Sequence, residues 1–285
     1  MKKMFVFSLF ALLAIPSAPF LQTSAFAQAA QPVKEVRKIK IGIDGAYPPF
    51  SQVADGKLVG FDVDIAHALC DQMKAECTFV QHDFDSMIAA LQDKRIDAVI
   101  ASMSITDERE KVVAFSDKYH RTPARYLARK ASGLTVTAAG LKGKRIGVVR
   151  GTAHDRFATD TFKESTIVRV AKPDDIFVEL AAGRIDGAFL DAIVASEGFL
   201  KKPLGKDFEL LGPNFIDPLV FGAGAGITLR KGEASLRNAF NTAIKSIQSN
   251  GVYKKIQSKY FDFDISGACA SGSDCGAATK APTVR

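Results

Sequence analysis

Two groups of polar side chains with complementary charge follow two short apolar stretches of the sequence. Ser102, Ser104 and Arg109 come after the first stretch, and Asp191 comes directly after the second. A guanidinium can hold a carboxylate with two parallel hydrogen bonds, and a carboxylate can pair with an ammonium group. If the two groups face each other, they predict a site for a small zwitterion.

The segments that lead into these side chains are nearly the same. Residues 91–98 read LQDKRIDA and residues 180–187 read LAAGRIDG. Each copy is predicted to close a helix and to run into a short apolar strand. Ligands of open α/β sheets collect at the carboxyl ends of the strands. The repeat therefore predicts two similar α/β units whose strand ends carry the site.

The elements around the repeat predict an α/β fold. In the first unit, alternation of apolar residues predicts strands over residues 39–43 and 77–81 and helices over 61–73 and 87–92, the latter capped by Asp85 and Ser86. In the second unit, strands are predicted over 144–149 and 166–170, with helices opening at Gly151-Thr152 and at residues 173–175. This order favours mainly parallel sheets with helices on both faces.

The end of the chain completes this pattern. Helices are predicted over residues 235–249 and 252–260, and the small polar tail over 266–285 is expected to be flexible. Glycines at 222, 224 and 226 precede a strand instead of joining a strand to a helix, so they indicate a crossover or hinge and not a nucleotide loop.

The N-terminus carries the pattern of a secretory signal peptide over residues 1–27. Lys2 and Lys3 precede an apolar run, and residues 25–27 read AFA, a small-x-small cleavage site. Cleavage lowers the formal net charge of the chain from +7 to +5. Lysines and arginines are scattered, so nucleic-acid binding is not expected. The mature protein is expected to be exported and soluble.

Four cysteines in an exported chain favour disulfides. The simplest of three possible connectivities pairs Cys70 with Cys77 and Cys269 with Cys275. A metal site is not expected, because the sequence lacks Cys-x-x-Cys and its four histidines are dispersed.

Several motifs together resemble one family. They are GFDVD at 60–64, SITDER at 104–109, FSD at 115–117, GRID at 183–186 and KYFDF at 259–263. In this order and spacing they resemble the type II periplasmic amino-acid-binding proteins of ABC importers, from about residue 39 to residue 264. Residues 69–77 and 191–200 are most similar to lysine/arginine/ornithine- and histidine-binding proteins.

The resemblance implies two lobes that close on a ligand about two hinge strands. The crossings are expected near residues 121–123 and 221–223. The first lobe then comprises residues 28–122 plus 222–265, and the second comprises 123–221. The implied function is non-catalytic: the receptor captures a basic L-amino acid and delivers it to inner-membrane permease subunits. No cofactor is implied, and a monomer is expected.

The resemblance also assigns roles to site residues. Arg109 should hold the ligand α-carboxylate, with hydrogen bonds from Ser102 and Ser104, and Asp191 should pair with the α-ammonium. Asp44 should meet the charged end of a basic side chain, whose methylenes Tyr47 and Phe84 should sandwich. Structural alternatives remain open: Arg109 on a helix surface, Asp191 as a helix cap, Asp44 as a turn residue, and both aromatic rings as core.

The sequence departs from these relatives within the expected cleft. Ala101 and Ala153 stand where the relatives carry hydroxyls, Arg150 replaces a neutral glutamine, and His154 follows in the same turn. An inward Arg150 would repel a basic side chain and favour an extra carboxylate, so an opine or another amino acid derivative is an alternative ligand. A cyclohexadienyl dehydratase-like enzyme is a third hypothesis, which needs a carboxyl group placed for acid–base work.

Overall fold

A computed structural model describes Met1 and residues 37–267 of the chain. The predicted signal peptide, the Cys269–Cys275 pairing and most of the predicted flexible tail lie outside the described residues. Cys70 and Cys77 form the predicted disulfide, which joins the end of a helix to the next strand. No helix in the described part is long and apolar enough to cross a membrane.

The first five-stranded sheet belongs to the first lobe. Its spatial order is β5 (Glu76–Gln81), β1 (Lys38–Ile43), β6 (Ala98–Val99), β13 (Ala225–Arg230) and β7 (Val113–His120). β1 pairs in parallel with β5 and β6, while β13 runs antiparallel to both β6 and β7. Four of the five strands therefore point the same way.

The second five-stranded sheet repeats this arrangement in the second lobe. Its order is β10 (Thr166–Val170), β9 (Arg145–Val149), β11 (Gly187–Asp191), β8 (Ala124–Arg129) and β12 (Phe208–Phe215). β9 pairs in parallel with β10 and β11, and β8 is antiparallel to β11 and β12. The similar order confirms that the sequence repeat marks two related α/β units.

Helices flank both sheets. In the first lobe they are α1 (Phe61–Met73), α2 (Met87–Gln92), α3 (Asp107–Glu110), α8 (Ala234–Ser249) and α9 (Val252–Gln257). In the second they are α4 (Ala153–Thr161), α5 (Pro173–Ala181), α6 (Ala192–Ala195) and α7 (Pro218–Phe221), the last preceding the return to β13. The long α8 buries one apolar face, including Leu236, Phe240 and Ile244, in the core.

The chain passes between the sheets twice. It leaves β7 at His120 and enters β8 at Ala124, and it returns between Phe215 and Ala225. Gly222 follows α7 on the return with a φ of 78°, a left-handed conformation that favours glycine. Gly222 and Gly224 therefore lie on a crossover, as predicted, whereas Gly226 is already part of β13. The exact borders of the lobes stay a prediction.

Three local features differ from the predictions. Ser86 precedes α2, but its hydroxyl donates to the carbonyl of Asp83 and accepts no hydrogen bond from the N–H groups of the helix. A short 3₁₀ turn over Phe84–Ser86 leads into α2 instead. The last helix ends at Gln257 and not at residue 260. A small three-stranded sheet, β2 (Ala46–Tyr47), β3 (Ser51–Ala54) and β4 (Lys57–Val59), was not predicted.

Candidate functional site

Arg109 lies on α3 with its guanidinium between the lobes. It donates to the carbonyl of Ser104 at 2.9 Å and to the carbonyl of Gly151, in the second lobe, at 3.0 Å. Its Cζ lies 5.5 Å from the ring centroid of Phe84. No carboxylate of the described residues forms an ion pair with it. Burial lowers the pKa of Arg109 to about 10, so the cation is desolvated and lacks an anionic partner.

The N-terminus of α4 lies opposite Arg109. Thr152 caps this helix by accepting a hydrogen bond from the backbone N–H of Asp155 at 3.1 Å. The first N–H groups of a helix have no partner inside it and attract negative charge. Arg109 and the start of α4 therefore form a place suited to a carboxylate.

Asp191 ends β11 and caps α6. One carboxylate oxygen accepts hydrogen bonds from the backbone N–H groups of Ile193, at 2.8 Å, and Val194, at 3.1 Å, and the other accepts one from the Thr122 hydroxyl. Burial raises the pKa of Asp191 to about 6, against the lowering effect of these bonds. The capping alternative is therefore realised, and the carboxylate also lines a cavity.

Asp44 follows β1 and is partly buried. Burial is the main cause that raises its pKa to about 6, with the nearby carboxylates of Asp83 and Asp85 acting in the same direction and a hydrogen bond from the Ala46 backbone acting against them. A cation placed beside Asp44 would relieve this unfavourable environment. Tyr47 packs against Phe50 with ring centroids 5.6 Å apart, so it has core contacts as well as a cavity-facing position.

Two small cavities lie between the lobes, and they share four lining residues, Tyr47, Ser102, Ser104 and His154. The Arg109 cavity is further lined by Asp44, Phe84, Ala101, Arg109, Val149, Thr152 and Ala153. The Asp191 cavity lies toward the crossovers, with Asp191, His120, Arg121 and Thr122 among its lining residues. Every predicted site residue except Arg150 therefore lines one of the two cavities.

A buried hydrogen-bond network supports Ser102. Its hydroxyl donates to Asp62 at 2.8 Å and lies 3.0 Å from His120 Nε2, and its backbone N–H donates to the Tyr119 hydroxyl at 3.0 Å. The Tyr119 hydroxyl in turn donates to Asp62 at 2.9 Å. Ser102 has a φ of 51°, which is unusual for a residue other than glycine. The network therefore fixes a strained residue at the wall of both cavities.

Burial is the main influence on the protonation of the acidic and histidine side chains around the cavities. Burial raises the pKa of Asp62 to about 7, although hydrogen bonds from Ser102 and Tyr119 lower it and the charge of Asp44 raises it. Burial lowers the pKa of His120 to about 3, so its ring is neutral at physiological pH. Burial and the charge of Arg109 likewise lower the pKa of His154 to about 4.

Comparison with known proteins bears on this arrangement. Residues 39–263 match the bacterial extracellular solute-binding proteins, family 3. The chain belongs to this family. It is 44% identical over 235 residues to an L-arginine-binding protein of Pseudomonas aeruginosa, covering 81% of this chain and 91% of that protein. It is also 44% identical over 270 residues to a histidine-binding periplasmic protein of Salmonella typhimurium, covering 94% and 100% of the two chains.

Solved structures agree with the family assignment. A Salmonella typhimurium periplasmic binding protein with high arginine specificity superposes with a TM-score of 0.73 at 36% identity, covering 79% of this chain and 100% of that one. The two-lobe, type II periplasmic binding protein fold predicted for this solute-binding protein is thus confirmed.

Arg150 is the predicted residue that this solute-binding protein places elsewhere. Its guanidinium pairs with Asp85 of the first lobe at 3.3 Å, with 54% of its side chain exposed. It lines neither of the two cavities. The inward orientation on which a derivative ligand depended is therefore not the one in this structure, where Arg150 pairs with Asp85 instead.

The family pattern left several contributors to the site unassigned. Asp62, Tyr119, His120 and Thr122 position or line the cavities, yet none was predicted as a site residue. Asp62 lies within the GFDVD motif, but an acidic residue in the first turn of a helix is common at the surface, where it favours the helix dipole. Its complete burial is the informative feature, and sequence spacing does not reveal it.

Proposed function

We propose that this solute-binding protein is an exported receptor that captures a basic L-amino acid between its lobes and delivers it to an ABC importer. The proposed ligands are lysine, arginine, ornithine and histidine. The names of the relatives support this range, since they include arginine- and histidine-binding proteins and a lysine/arginine/ornithine-binding periplasmic protein. The periplasm is the proposed compartment, reached through a signal peptide over residues 1–27.

The observation that carries the proposal is the distribution of charge around the cavities. Arg109, without an anionic partner among the described residues, stands at one side with the N-terminus of α4. Asp44 and Asp191 are carboxylates that burial disfavours as anions. A ligand with one carboxylate and two cationic groups complements this set, because each charge gains a partner of opposite sign.

Each predicted residue has a role in this proposal. Arg109 and the start of α4 hold the α-carboxylate, and Asp191 pairs with the α-ammonium. Asp44 receives the cationic end of the side chain, whose methylenes lie between Tyr47 and Phe84. Ser104 adds hydrogen bonds to the main-chain groups of the ligand, and Ser102 does so from within its network. Ala101, Ala153 and His154 shape the wall.

Closure of the lobes accompanies binding in this proposal. The proposed lobes are residues 28–122 plus 222–265 and residues 123–221. Contacts between the sheets support a closed form: Arg109 reaches Gly151, Arg150 pairs with Asp85, and Arg156 pairs with Glu108 at 3.4 Å. Hinge closure of this kind traps a ligand between rigid domains. The proposed partner is the permease, and the proposed state is a monomer.

The two other hypotheses lose support from the site. The opine hypothesis depended on Arg150, which faces Asp85 outside the cavities. A dehydratase-like reaction needs a carboxyl group that is free for acid–base work on the ligand. Asp44 and Asp191 line the cavities but are assigned to the cationic groups of the ligand. Asp62 is covered by Ser102 and Tyr119 and lines neither of the two cavities. A receptor without catalytic activity is the function that the site supports best.

Isothermal titration of the purified mature protein with the four basic amino acids tests the proposal. At least one of them should bind. Glutamate serves as the control, because it has the same α-carboxylate and α-ammonium groups but would place its side-chain carboxylate beside Asp44. At a ligand concentration one hundred times the Kd, the bound protein should gain about 2.7 kcal/mol of stability. Binding of glutamate with equal affinity, or of none of the basic amino acids, would contradict the assignment.

A further inference from the structure

His120 occupies a special position between the core and the site. It is the last residue of β7, immediately before the first crossover, and it is 2% exposed. Its ring stacks on Phe50 with centroids 4.9 Å apart. The same residue lines the Asp191 cavity. A polar ring is thus held rigidly at the side of the cavity nearest the crossovers.

The hydrogen bonds of Ser102 determine which ring nitrogen of His120 carries a proton. With Asp62 ionised, the Ser102 hydroxyl donates its only proton to that carboxylate. The 3.0 Å contact between Ser102 Oγ and His120 Nε2 then requires Nε2–H to donate. A neutral imidazole has one donor and one acceptor, so Nδ1 carries the lone pair. His120 therefore presents a hydrogen-bond acceptor.

No residue in the described part of the chain uses this acceptor. Nδ1 of His120 is buried and has no hydrogen-bond partner among the described residues. A buried polar atom without a partner is unfavourable, so such atoms normally have one. A donor on a bound ligand would supply it.

Asp191 by itself leaves an ammonium group short of acceptors. One of its oxygens already accepts two backbone N–H groups, and the other accepts the Thr122 hydroxyl. An ammonium group has three donors, whereas a carboxylate offers about four lone-pair positions in all. Arg121, in the same cavity, supplies donors and not acceptors, and its guanidinium donates to the carbonyl of Ile216. His120, which lines the same cavity, has a further acceptor.

We propose that His120 is a further ligand-binding residue, whose Nδ1 accepts a hydrogen bond from the α-amine of the bound amino acid beside Asp191. This inference rests on the proposed function, because it requires an α-amine in the Asp191 cavity. It assigns recognition of the amine to both lobes: Asp191 acts from the second, and His120 acts from the last strand of the first before the crossover.

Two matched variants separate this role from a structural one. His120→Asn retains an acceptor near the position of Nδ1, whereas His120→Gln retains a donor near Nε2 for Ser102. Both remove the ring that stacks on Phe50, so that loss is common to them. Titrations at pH 8, where Asp62 is ionised, should use arginine and 5-guanidinopentanoate, which is arginine without its α-amine.

We expect His120→Gln to bind arginine about tenfold more weakly than the wild type, and His120→Asn to bind it within about threefold. For 5-guanidinopentanoate, both variants should match the wild type. Equal losses for the two ligands, or unchanged arginine binding by His120→Gln, would overturn the inference while leaving the proposed function intact. Failure of the wild type to bind any basic amino acid would instead overturn the proposed function and this inference with it.

A second measurement needs no substitution. The ¹⁵N shift of His120 Nδ1 in the wild-type protein reports whether its lone pair accepts a hydrogen bond. It should move upfield on addition of arginine and stay in place on addition of 5-guanidinopentanoate. The same shift change with both ligands would show that the α-amine is not the donor.

Discussion

The two lobes share one helix-to-strand connection, formed by the repeated Arg-Ile-Asp at residues 95–97 and 184–186 and called the joint below. They differ in the residues that come after it. Asp97 accepts a hydrogen bond from the backbone N–H of Lys40 at 3.0 Å, and Asp186 accepts one from the backbone N–H of Arg145 at 2.7 Å. Each aspartate thereby ties the end of a helix to a neighbouring parallel strand, β1 in the first lobe and β9 in the second. The repeated Arg-Ile-Asp sequence is therefore a scaffold feature and not a binding motif.

The isoleucines of the repeat pack in the same way. A Cβ atom built on Gly42 would lie 2.5 Å from Ile96 Cδ1, and one built on Gly147 would lie 2.6 Å from Ile185 Cδ1. In both lobes, the isoleucine covers a glycine of the neighbouring strand. Beyond the joint the lobes diverge, with Ser102 and Arg109 in the first and Asp191 in the second. Two similar α/β units thus place side chains of opposite charge, Arg109 and Asp191, at the same cleft.

The largest effect is expected from removing charge beyond the joint without disturbing the scaffold. Asp191→Asn keeps a residue that caps helices well but removes the carboxylate that faces the Asp191 cavity. Because a buried ammonium would lose its ionic partner, arginine should bind at least about a hundredfold more weakly. Isothermal titration measures the loss. A loss below about threefold would show that Asp191 serves α6 alone.

The second prediction concerns the pH dependence that Asp62 imposes on the ligand-free protein. Its folded-state pKa of about 7 exceeds the ordinary aspartate value of 3.8, so protonation favours folding. This contribution is fully present below pH 3.8 and is lost as the pH rises through about 7. The wild type should therefore lose on the order of 4 kcal/mol relative to Asp62→Asn between pH 4 and pH 8.

Urea unfolding of both proteins across that range measures the difference. The neutral histidines, His120 and His154, have lowered pKa values and thus an effect of opposite sign. Since both proteins contain them, their effect cancels in the comparison to first order. A difference that does not change with pH would mean that Asp62 is not a strongly perturbed acid.

The third prediction tests the joint itself. Asp186→Asn removes the ion pair with Arg145, whose hydrogen bond to Asp186 lowers the pKa of that carboxyl group. This pair is partly exposed, so the free energy of unfolding should fall by only about 1 kcal/mol. Ligand affinity should stay within about twofold, because the joint lies outside the cavities. Urea unfolding and titration of the same sample check both statements, with Asp97→Asn as the counterpart in the first lobe.

The smallest effect is expected at the rim. Arg150→Gln breaks an exposed ion pair between the lobes, and such pairs contribute about 0–1 kcal/mol. Arginine affinity should change by less than about threefold, and the difference should shrink at high salt. A large gain in affinity for basic ligands would instead indicate that Arg150 reaches the ligand, and titration at two salt concentrations distinguishes the outcomes.

Local sequence was sufficient for much of the fold. Alternation over β1, the apolar face of α1 and the proline that begins α5 predict these elements closely, since each is a short-range pattern. The Cys70–Cys77 pairing was also accessible, because the two residues lie only seven positions apart. Boundaries that depend on capping geometry, such as the entry to α2, were less predictable.

Periodicity, spacing and side-chain chemistry were enough to define the two-unit α/β scaffold, the disulfide and the set of charged residues that could form a site. Where each charged side chain lies, and which residue it contacts, depended on the folded arrangement of the chain. Folding turned Arg150 toward Asp85, placed Thr122 against Asp191, and buried Asp62 against Ser102. The physical reason is that burial and hydrogen bonding depend on contacts between residues far apart in the chain, which no local pattern encodes.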